Sequence, residues 1–189
     1  SQNFRHTQMK NRMLEIEALR KFITTKCKQE ATDGWYDIIS CCNTEHIILA
    51  GHSFGATTVA SILGSHFNST ECKCCKYNPI EYRAGILFDL WGTPTPSQLE
   101  INVPILSILS KQFKENAQGR LCKEIFDGSI DDKSSCFSAW VENTDHISFC
   151  DAKLFCWGLG DNNHDVWVNC MLDWLCKYLS EKKNKGNAW

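Results

Sequence analysis

One serine in this sequence has neighbours that favour covalent chemistry. It is Ser53, in the pentapeptide Gly-His-Ser-Phe-Gly at 51–55. The apolar run 47–50 precedes the pentapeptide, and a run of small residues that suits a helix, 56–63, follows it. Strand, sharp turn and helix is the setting of a nucleophile elbow, in which the turn lifts a serine hydroxyl clear of the sheet. The pattern therefore predicts Ser53 as a nucleophile.

The residues beside Ser53 have predicted roles of their own. We expect Gly51 and Gly55 to be glycines because the strand and the helix pass close to each other at the turn. The helix start behind the serine offers free N–H groups and a positive dipole end to a developing oxyanion. We expect His52 to pack or to form a hydrogen bond within the fold.

A serine nucleophile needs a base, and the base needs a carboxylate that orients it. In α/β-hydrolases these residues follow the chain order serine, acid, histidine, in loops at the C-terminal ends of strands. Asp89 ends the apolar segment 83–89, and His146 follows the predicted last strand. The order predicts Ser53 as nucleophile, His146 as general base and then general acid, and Asp89 as the group that fixes the imidazole tautomer.

Other candidates for the acid and the base stay open at this point. In many hydrolases the acid follows the next strand, here ending at Leu109, and the nearest carboxylate beyond it is Glu115. A later loop holds three more acids, Asp127, Asp131 and Asp132. The rival base is His164, although a place in the N-terminal capping region of the last helix fits it better.

The segments around these residues are typical of an α/β sheet. Apolar residues at spacings of three and four predict a helix over 5–28, and a similar pattern predicts one over about 165–182. A further helix is expected over 113–126, and a short one after His146. The predicted strands are 46–50, 83–89, 103–109 and 136–142. The first strand is nearly all apolar, so we expect it to be buried on both faces of a mostly parallel sheet with flanking helices.

Composition sets the class of protein. A chain of 189 residues with 43% hydrophobic and 22% charged residues is typical of one soluble globular domain. The net charge of −2 gives no indication of nucleic-acid binding, and no apolar run reaches the length of a membrane span.

Twelve cysteines are many for this length. Their even number, together with the sequon that makes Asn68 a candidate glycosylation site, slightly favours a secreted protein over a cytoplasmic one. Cys170 and Cys176 lie on apolar faces and suit buried thiols instead. The cysteines within 72–75 have no second pair at metal-ligand spacing, so we predict a disulfide-tied or solvated loop there and no metal site.

Three motifs in order resemble the platelet-activating factor acetylhydrolases of the plasma and intracellular type II group, also classed as group VII phospholipases A2. The pentapeptide at 51–55, followed by Ala-Thr, has that family's form. Its Asp-x-Trp-x-x-Pro is matched by Asp89, Trp91 and Pro94, and its His-x-x-Phe-x-Asp by His146, Phe149 and Asp151. The first helix is also similar, with Arg5, Gln8, Arg12 and Glu15 at the family's spacing. The resemblance runs from residue 5 to about 155.

The resemblance implies an α/β-hydrolase fold and a calcium-independent serine esterase that needs no cofactor or metal. Its substrates would be phospholipids with a short or oxidised sn-2 acyl chain, including platelet-activating factor. The apolar surface near the site would contact a membrane or a lipoprotein particle. The backbone N–H of Phe54 would be one of two oxyanion-hole donors.

The sequence departs from the family in two places. The segment 72–75 lengthens the connection between the serine and the acid. The family's N-terminal strands, with the loop that supplies the second oxyanion donor, have no counterpart here. We therefore predict that 1–189 is a single partial α/β-hydrolase domain, the half from the elbow strand onward, poorly active or unstable alone. Its first strand would then be an exposed sheet edge.

Two other functions stay open beside the phospholipid esterase. One is a general α/β-hydrolase that acts on soluble esters. The other is a truncated, inactive member that binds lipid or a partner. The presence of all three predicted catalytic side chains argues against the inactive member, and the missing half argues for it.

Overall fold

The computed structural model describes residues 2–26, 41–44, 46–64, 82–92, 99, 101, 103–116, 136–150 and 164–184. Their elements are α1 (Gln2–Lys26), β1 (Ile47–His52), α2 (Phe54–Leu63), β2 (Tyr82–Phe88), β3 (Ile105–Ser110), α3 (Lys111–Glu115), β4 (Phe137–Val141), a 3-10 turn (His146–Phe149) and α4 (His164–Asn184). The two long helices and the four strands lie within a few residues of their predicted positions. Most of the helix predicted over 113–126 falls outside the described residues.

The four strands form one parallel sheet in the order β1-β2-β3-β4. Chain order and sheet order are therefore the same, and all four C-terminal ends lie along one edge. At that edge His52 pairs with Phe88, and Ser110 pairs with Val141. The predicted α/β fold with a parallel sheet is confirmed.

The inner and outer strands differ in burial. Nearly all residues of β2 and β3 are buried, as expected for parallel strands covered on both faces. The expectation that β1 is buried on both faces is wrong, because it is the outermost described strand on its side and its residues are half-exposed or exposed. The opposite outer strand, β4, leaves Phe137 50% and Trp140 51% exposed.

Helices pack on both faces of the sheet and make three layers. On one face, Met9 and Met13 of α1 join the core that α2 forms with the sheet. On the other face, Trp174 of α4 packs with Phe88 and Phe149. The apolar stripe predicted for α1 is buried only in part, since Leu19 remains 57% exposed.

Several predicted features lie outside the described residues. They are Asn68, the segment 72–75 and six of the twelve cysteines. The structure describes the other six and shows no disulfide among them: Cys41, Cys42, Cys136, Cys150, Cys170 and Cys176. Of these, Cys176 is exposed and does not match the buried thiol that its apolar face suggested. Among the described helices, none combines the length and the apolar character that crossing a bilayer requires.

Candidate active site

Ser53 occupies the tight turn between β1 and α2. Its backbone has φ 57° and ψ −122°, a conformation that non-glycine residues rarely adopt. The Ser53 N–H donates to the carbonyl of Phe88, at 2.9 Å, which ties the turn to the end of the neighbouring strand. The fold therefore holds the strained turn in place from the β2 side.

The two glycines of the pentapeptide have different reasons to be there. A Cβ at Gly51 would lie 2.5 Å from the carbonyl carbon and oxygen of Gly55, a contact with backbone that no side-chain movement relieves. Close approach of strand and helix is thus confirmed at Gly51. The same expectation is wrong for Gly55, where an added Cβ meets nothing within 4 Å.

The side chains of the three predicted catalytic residues meet at the C-terminal edge of the sheet. Nε2 of His146 lies 2.8 Å from Oγ of Ser53, and Nδ1 of His146 lies 3.0 Å from Oδ2 of Asp89. With a proton on Nδ1 donated to the carboxylate, Nε2 is left as an acceptor for the serine hydroxyl. This arrangement can move a proton from the hydroxyl to the imidazole.

Asp89 is fully buried and hydrogen-bonded on both oxygens. Ser110 at the end of β3 donates its backbone N–H to Oδ1, at 2.6 Å, and its hydroxyl to Oδ2, at 2.7 Å. Burial raises the pKa of the Asp89 carboxyl above its usual value, while the bonds from Ser110 and His146 oppose that rise. The three donors favour the ionised form that orienting an imidazole requires.

The backbone around His146 is fixed by caps and neighbours. The Asp145 side chain accepts from the N–H of Ile147, and a capping box with Ser148 starts the 3-10 turn. The His146 N–H donates to Oε1 of Gln112 at 3.2 Å. The Phe113 ring stacks on the imidazole, with centroids 4.4 Å apart and planes 11° apart. Together these contacts hold the imidazole between the serine and the acid.

His52 contacts the same histidine from the elbow. Its Nε2 lies 2.8 Å from the carbonyl oxygen of His146, so it donates, and the two rings are 4.6 Å apart. Burial, and then the nearby charge of His146, lower the pKa of His52. A neutral imidazole suits this place because a second cation beside an imidazolium would be repelled. The expectation that His52 forms a hydrogen bond within the fold is confirmed.

The rival residues are not brought to Ser53 by the described part of the chain. Glu115 is exposed on α3. His164 begins α4, and the loop with Asp127, Asp131 and Asp132 lies outside the described residues. Sequence reasoning missed the supporting roles of Ser110, Gln112 and Phe113. One feature of the sequence could have indicated Ser110. It is a polar residue at the C-terminal end of β3, the strand beside the one that leads to Asp89.

The same edge of the sheet offers three groups of the type that ligate metals. The ligand atoms of His52, Asp89 and His146 all lie within 4.8 Å of one another. Each group is already engaged: Asp89 with Ser110, His52 with a backbone carbonyl, and His146 with both Ser53 and Asp89. A cation would have to replace these hydrogen bonds, so the donor set fits proton transfer better than metal binding.

Phe54 is the first residue of α2, so its backbone N–H has no carbonyl partner within the helix. It also directly follows the serine. This N–H therefore lies at the positive end of the helix dipole, in the residue next to Ser53.

The chain is similar to known proteins along much of its length. Residues 1–157 match the family model of platelet-activating factor acetylhydrolase, isoform II. A protein of Schizosaccharomyces pombe named "Putative phospholipase A2" is 39% identical over 75 residues, which cover 36% of this chain and 16% of that protein. The chain thus spans about a sixth of the length of this relative. Because the family model covers well over half of the sequence, including all three site residues, the chain belongs to the platelet-activating factor acetylhydrolase isoform II family.

Proposed function

We propose that this chain is a calcium-independent serine esterase that hydrolyses the sn-2 acyl ester of phospholipids through Ser53, His146 and Asp89. The observation that carries the proposal is the continuous contact from Oγ of Ser53 through the imidazole to the carboxylate, at 2.8 and 3.0 Å. Family membership supports a lipid-hydrolysing enzyme. The chain's own geometry supports the catalytic roles.

The first half of the reaction forms an acyl-enzyme. Oγ of Ser53 attacks the ester carbonyl carbon while Nε2 of His146 takes the hydroxyl proton. The developing oxyanion accepts a hydrogen bond from the N–H of Phe54. Collapse of the tetrahedral intermediate breaks the bond to the glycerol oxygen, which takes the proton from His146 and leaves as the lysophospholipid alcohol. Asp89 keeps the imidazole in the required tautomer and stabilises its cation.

The second half of the reaction restores the enzyme. Water loses a proton to Nε2 of His146 and attacks the acyl carbon. The second tetrahedral intermediate then releases the carboxylic acid and returns the proton to Ser53. No step needs a metal ion, because protein groups move the protons and stabilise the oxyanion.

A fluorophosphonate probe tests the nucleophile directly, since it reacts with serines that a base activates. The probe reports an activated serine and not turnover, so we expect the chain to be labelled even if a partial domain is poorly active. Ser53→Ala should lose the label while keeping the wild-type circular dichroism spectrum. Ser61→Ala is the matched control, because this buried serine on α2 bonds to Met9 and the Thr57 carbonyl instead. A folded chain that is not labelled would contradict the proposal.

The substrate class needs its own measurement. We expect hydrolysis of a short-chain phosphatidylcholine to exceed that of a simple aryl ester, with the difference growing above the micelle concentration. A chelator such as EGTA is expected to leave both rates unchanged. A preference for the soluble aryl ester would favour a general α/β-hydrolase, and lipid binding without labelling would favour an inactive lipid-binding member.

A further inference from the structure

Two arginines of α1 converge on the aromatic ring next to the nucleophile. The guanidinium carbons of Arg5 and Arg12 lie 5.5 and 5.0 Å from the centroid of the Phe54 ring. Arg5 also lies 5.4 Å from the centroid of Trp91. Residues seven apart share a face of a helix, and burial of Met9 between them turns that face toward α2. Both side chains are nevertheless exposed.

Within the described part of the chain, neither arginine has a carboxylate partner. Arg5 donates to the neutral side-chain oxygen of Gln8, at 3.1 Å. Farther along the same helix, Arg20 makes two hydrogen bonds to Glu17, at 2.9 and 2.7 Å. The chain has 22 acidic and 20 basic residues. A shortage of carboxylates therefore does not explain why neither arginine has a carboxylate partner among the described residues. Two cations beside one ring repel each other, and an anion between them would relieve that repulsion.

The position of the pair relates it to the candidate active site. Phe54 follows Ser53 directly, and the N–H of Trp91 donates to the Ser53 carbonyl at 3.4 Å. Both rings against which Arg5 lies therefore belong to segments that hold the serine. A substrate whose ester carbon is at Ser53 would have the remainder of its body within reach of these long, exposed side chains.

We propose that Arg5 and Arg12 bind the phosphate of the phospholipid substrate. The inference rests on the proposed function and names which residues recognise the head group. In a glycerophospholipid, five covalent bonds separate the sn-2 carbonyl carbon from the phosphorus, so the phosphate must lie close to the reacting ester. Guanidinium groups suit it because their planar donors bind phosphate oxygens in pairs.

A pair of monomeric substrates that differ only in the head group isolates the phosphate. One is 1,2-dibutyryl-glycero-3-phosphocholine, and the other is 1,2-dibutyrylglycerol, both below their micelle concentrations. For the double variant Arg5→Gln/Arg12→Gln we expect kcat/KM to fall about a hundredfold on the phosphocholine ester and less than twofold on the glycerol ester. Lys21→Gln is the control, since it removes one positive charge from the far end of the same helix.

The charge-keeping variant Arg5→Lys/Arg12→Lys separates recognition from general attraction. We expect it to recover part of the loss, since lysine keeps the charge but not the paired donors. Equal losses on both esters would overturn the proposal and assign the arginines to packing of α1 on the elbow. A loss confined to aggregated substrate would overturn it too, in favour of attraction to an anionic membrane surface.

Binding to the inert Ser53→Ala protein tests the subsite without relying on hydrolysis. Isothermal titration with the soluble phosphocholine ester is expected to give a dissociation constant at least tenfold weaker once both arginines are glutamine. Inorganic phosphate is expected to compete only when both arginines are present. If no ester is hydrolysed by the wild-type chain but this difference in binding is found, the proposed function fails and the phosphate site stands. If hydrolysis is found without the difference, the phosphate site alone fails.

Discussion

Asp89 and Ser53 both follow parallel strands with a positive φ, of 44° and 57°, yet their surroundings differ. Asp89 leaves an inner strand and is 0% exposed, with both carboxylate oxygens bonded to Ser110. Ser53 leaves the outer strand β1 and is half-buried. The acid is thus enclosed by the core and bonded to the adjacent strand, whereas Ser53 is held at the surface by its own turn and by backbone hydrogen bonds to Phe88 and Trp91.

His146 belongs to the outer group as well, since it follows β4 and its side chain is 31% exposed. Local caps and the stacked ring of Phe113 hold it in place. The inner strands therefore supply the buried carboxylate of the candidate site, and the outer strands supply the two groups that would contact the ester in the proposed reaction. This division predicts that substitutions at Asp89 and Ser110 alter the chemistry, and that substitutions around Ser53 alter the geometry of its turn.

The largest effect is expected from Asp89→Asn. The amide keeps the shape but cannot hold the His146 tautomer, so kcat should fall about ten-thousandfold while the unfolding free energy changes little. Steady-state hydrolysis of the phosphocholine ester and urea unfolding measure the two quantities. A loss of less than tenfold would show that another acid orients His146.

Substitutions at Gly51 and Gly55 test the turn that holds Ser53. Gly51→Ala places a Cβ against the backbone of Gly55, and we expect it to lower the unfolding free energy by about 3 kcal/mol and to abolish probe labelling. Gly55→Ala, the matched control, should change stability by less than about 1 kcal/mol, since its Cβ has open space. Equal effects in urea unfolding would contradict the close approach at the turn.

Ser110→Ala removes the hydroxyl that bonds to Asp89 and leaves the carboxyl group itself in place. Burial already raises the pKa of Asp89, and the Ser110 hydrogen bonds oppose that rise, so losing the hydroxyl should raise this pKa further. Activity requires the ionised form of Asp89. That form predominates above the pKa of Asp89 and is lost as the pH falls through this pKa. The acidic limb of the pH–kcat/KM profile should therefore move to higher pH.

Ser107→Ala is the control for that prediction, because it removes a buried hydroxyl from the same strand, three residues before the one that contacts Asp89. Its acidic limb should coincide with that of the wild type. A shift of the same size in both variants would assign the effect to repacking of β3.

The smallest expected effect is at His52. His52→Leu removes the donor to the His146 carbonyl and should lower kcat/KM about fivefold, the value of one neutral hydrogen bond of about 1 kcal/mol. His52→Gln keeps an N–H donor at a similar position and should retain most of the activity. If the two variants lose equal activity, the ring contacts of His52 matter more than its hydrogen bond.

The sequence indicated the parts of the site that local pattern and chain order determine. Small residues around Ser53 revealed the turn, and strand ends placed Asp89 and His146. The contacts made by Ser110, Gln112 and Phe113 could not be read in the same way, because they join neighbouring strands or the loops that follow them. Such partners depend on sheet register, which motif spacing does not give.

Burial was harder to predict than strand position. The composition of β1 is that of a strand covered on both faces, but exposure depends on what lies beside it in the sheet. In the same way, Leu19 follows the apolar period of α1 and still remains exposed, since the described neighbours pack mainly on the first half of that helix.

A sheet whose spatial order repeats its chain order can grow by adding each strand to the edge that the previous one created. Every pairing then joins consecutive strands, which keeps the closing loops short and favours rapid folding. His146 follows the last of the described strands, so in such an order of growth the base would arrive after the nucleophile and the acid. We therefore expect that chains caught during folding carry an unreactive Ser53, and that its reactivity with a covalent probe reports when β4 has docked.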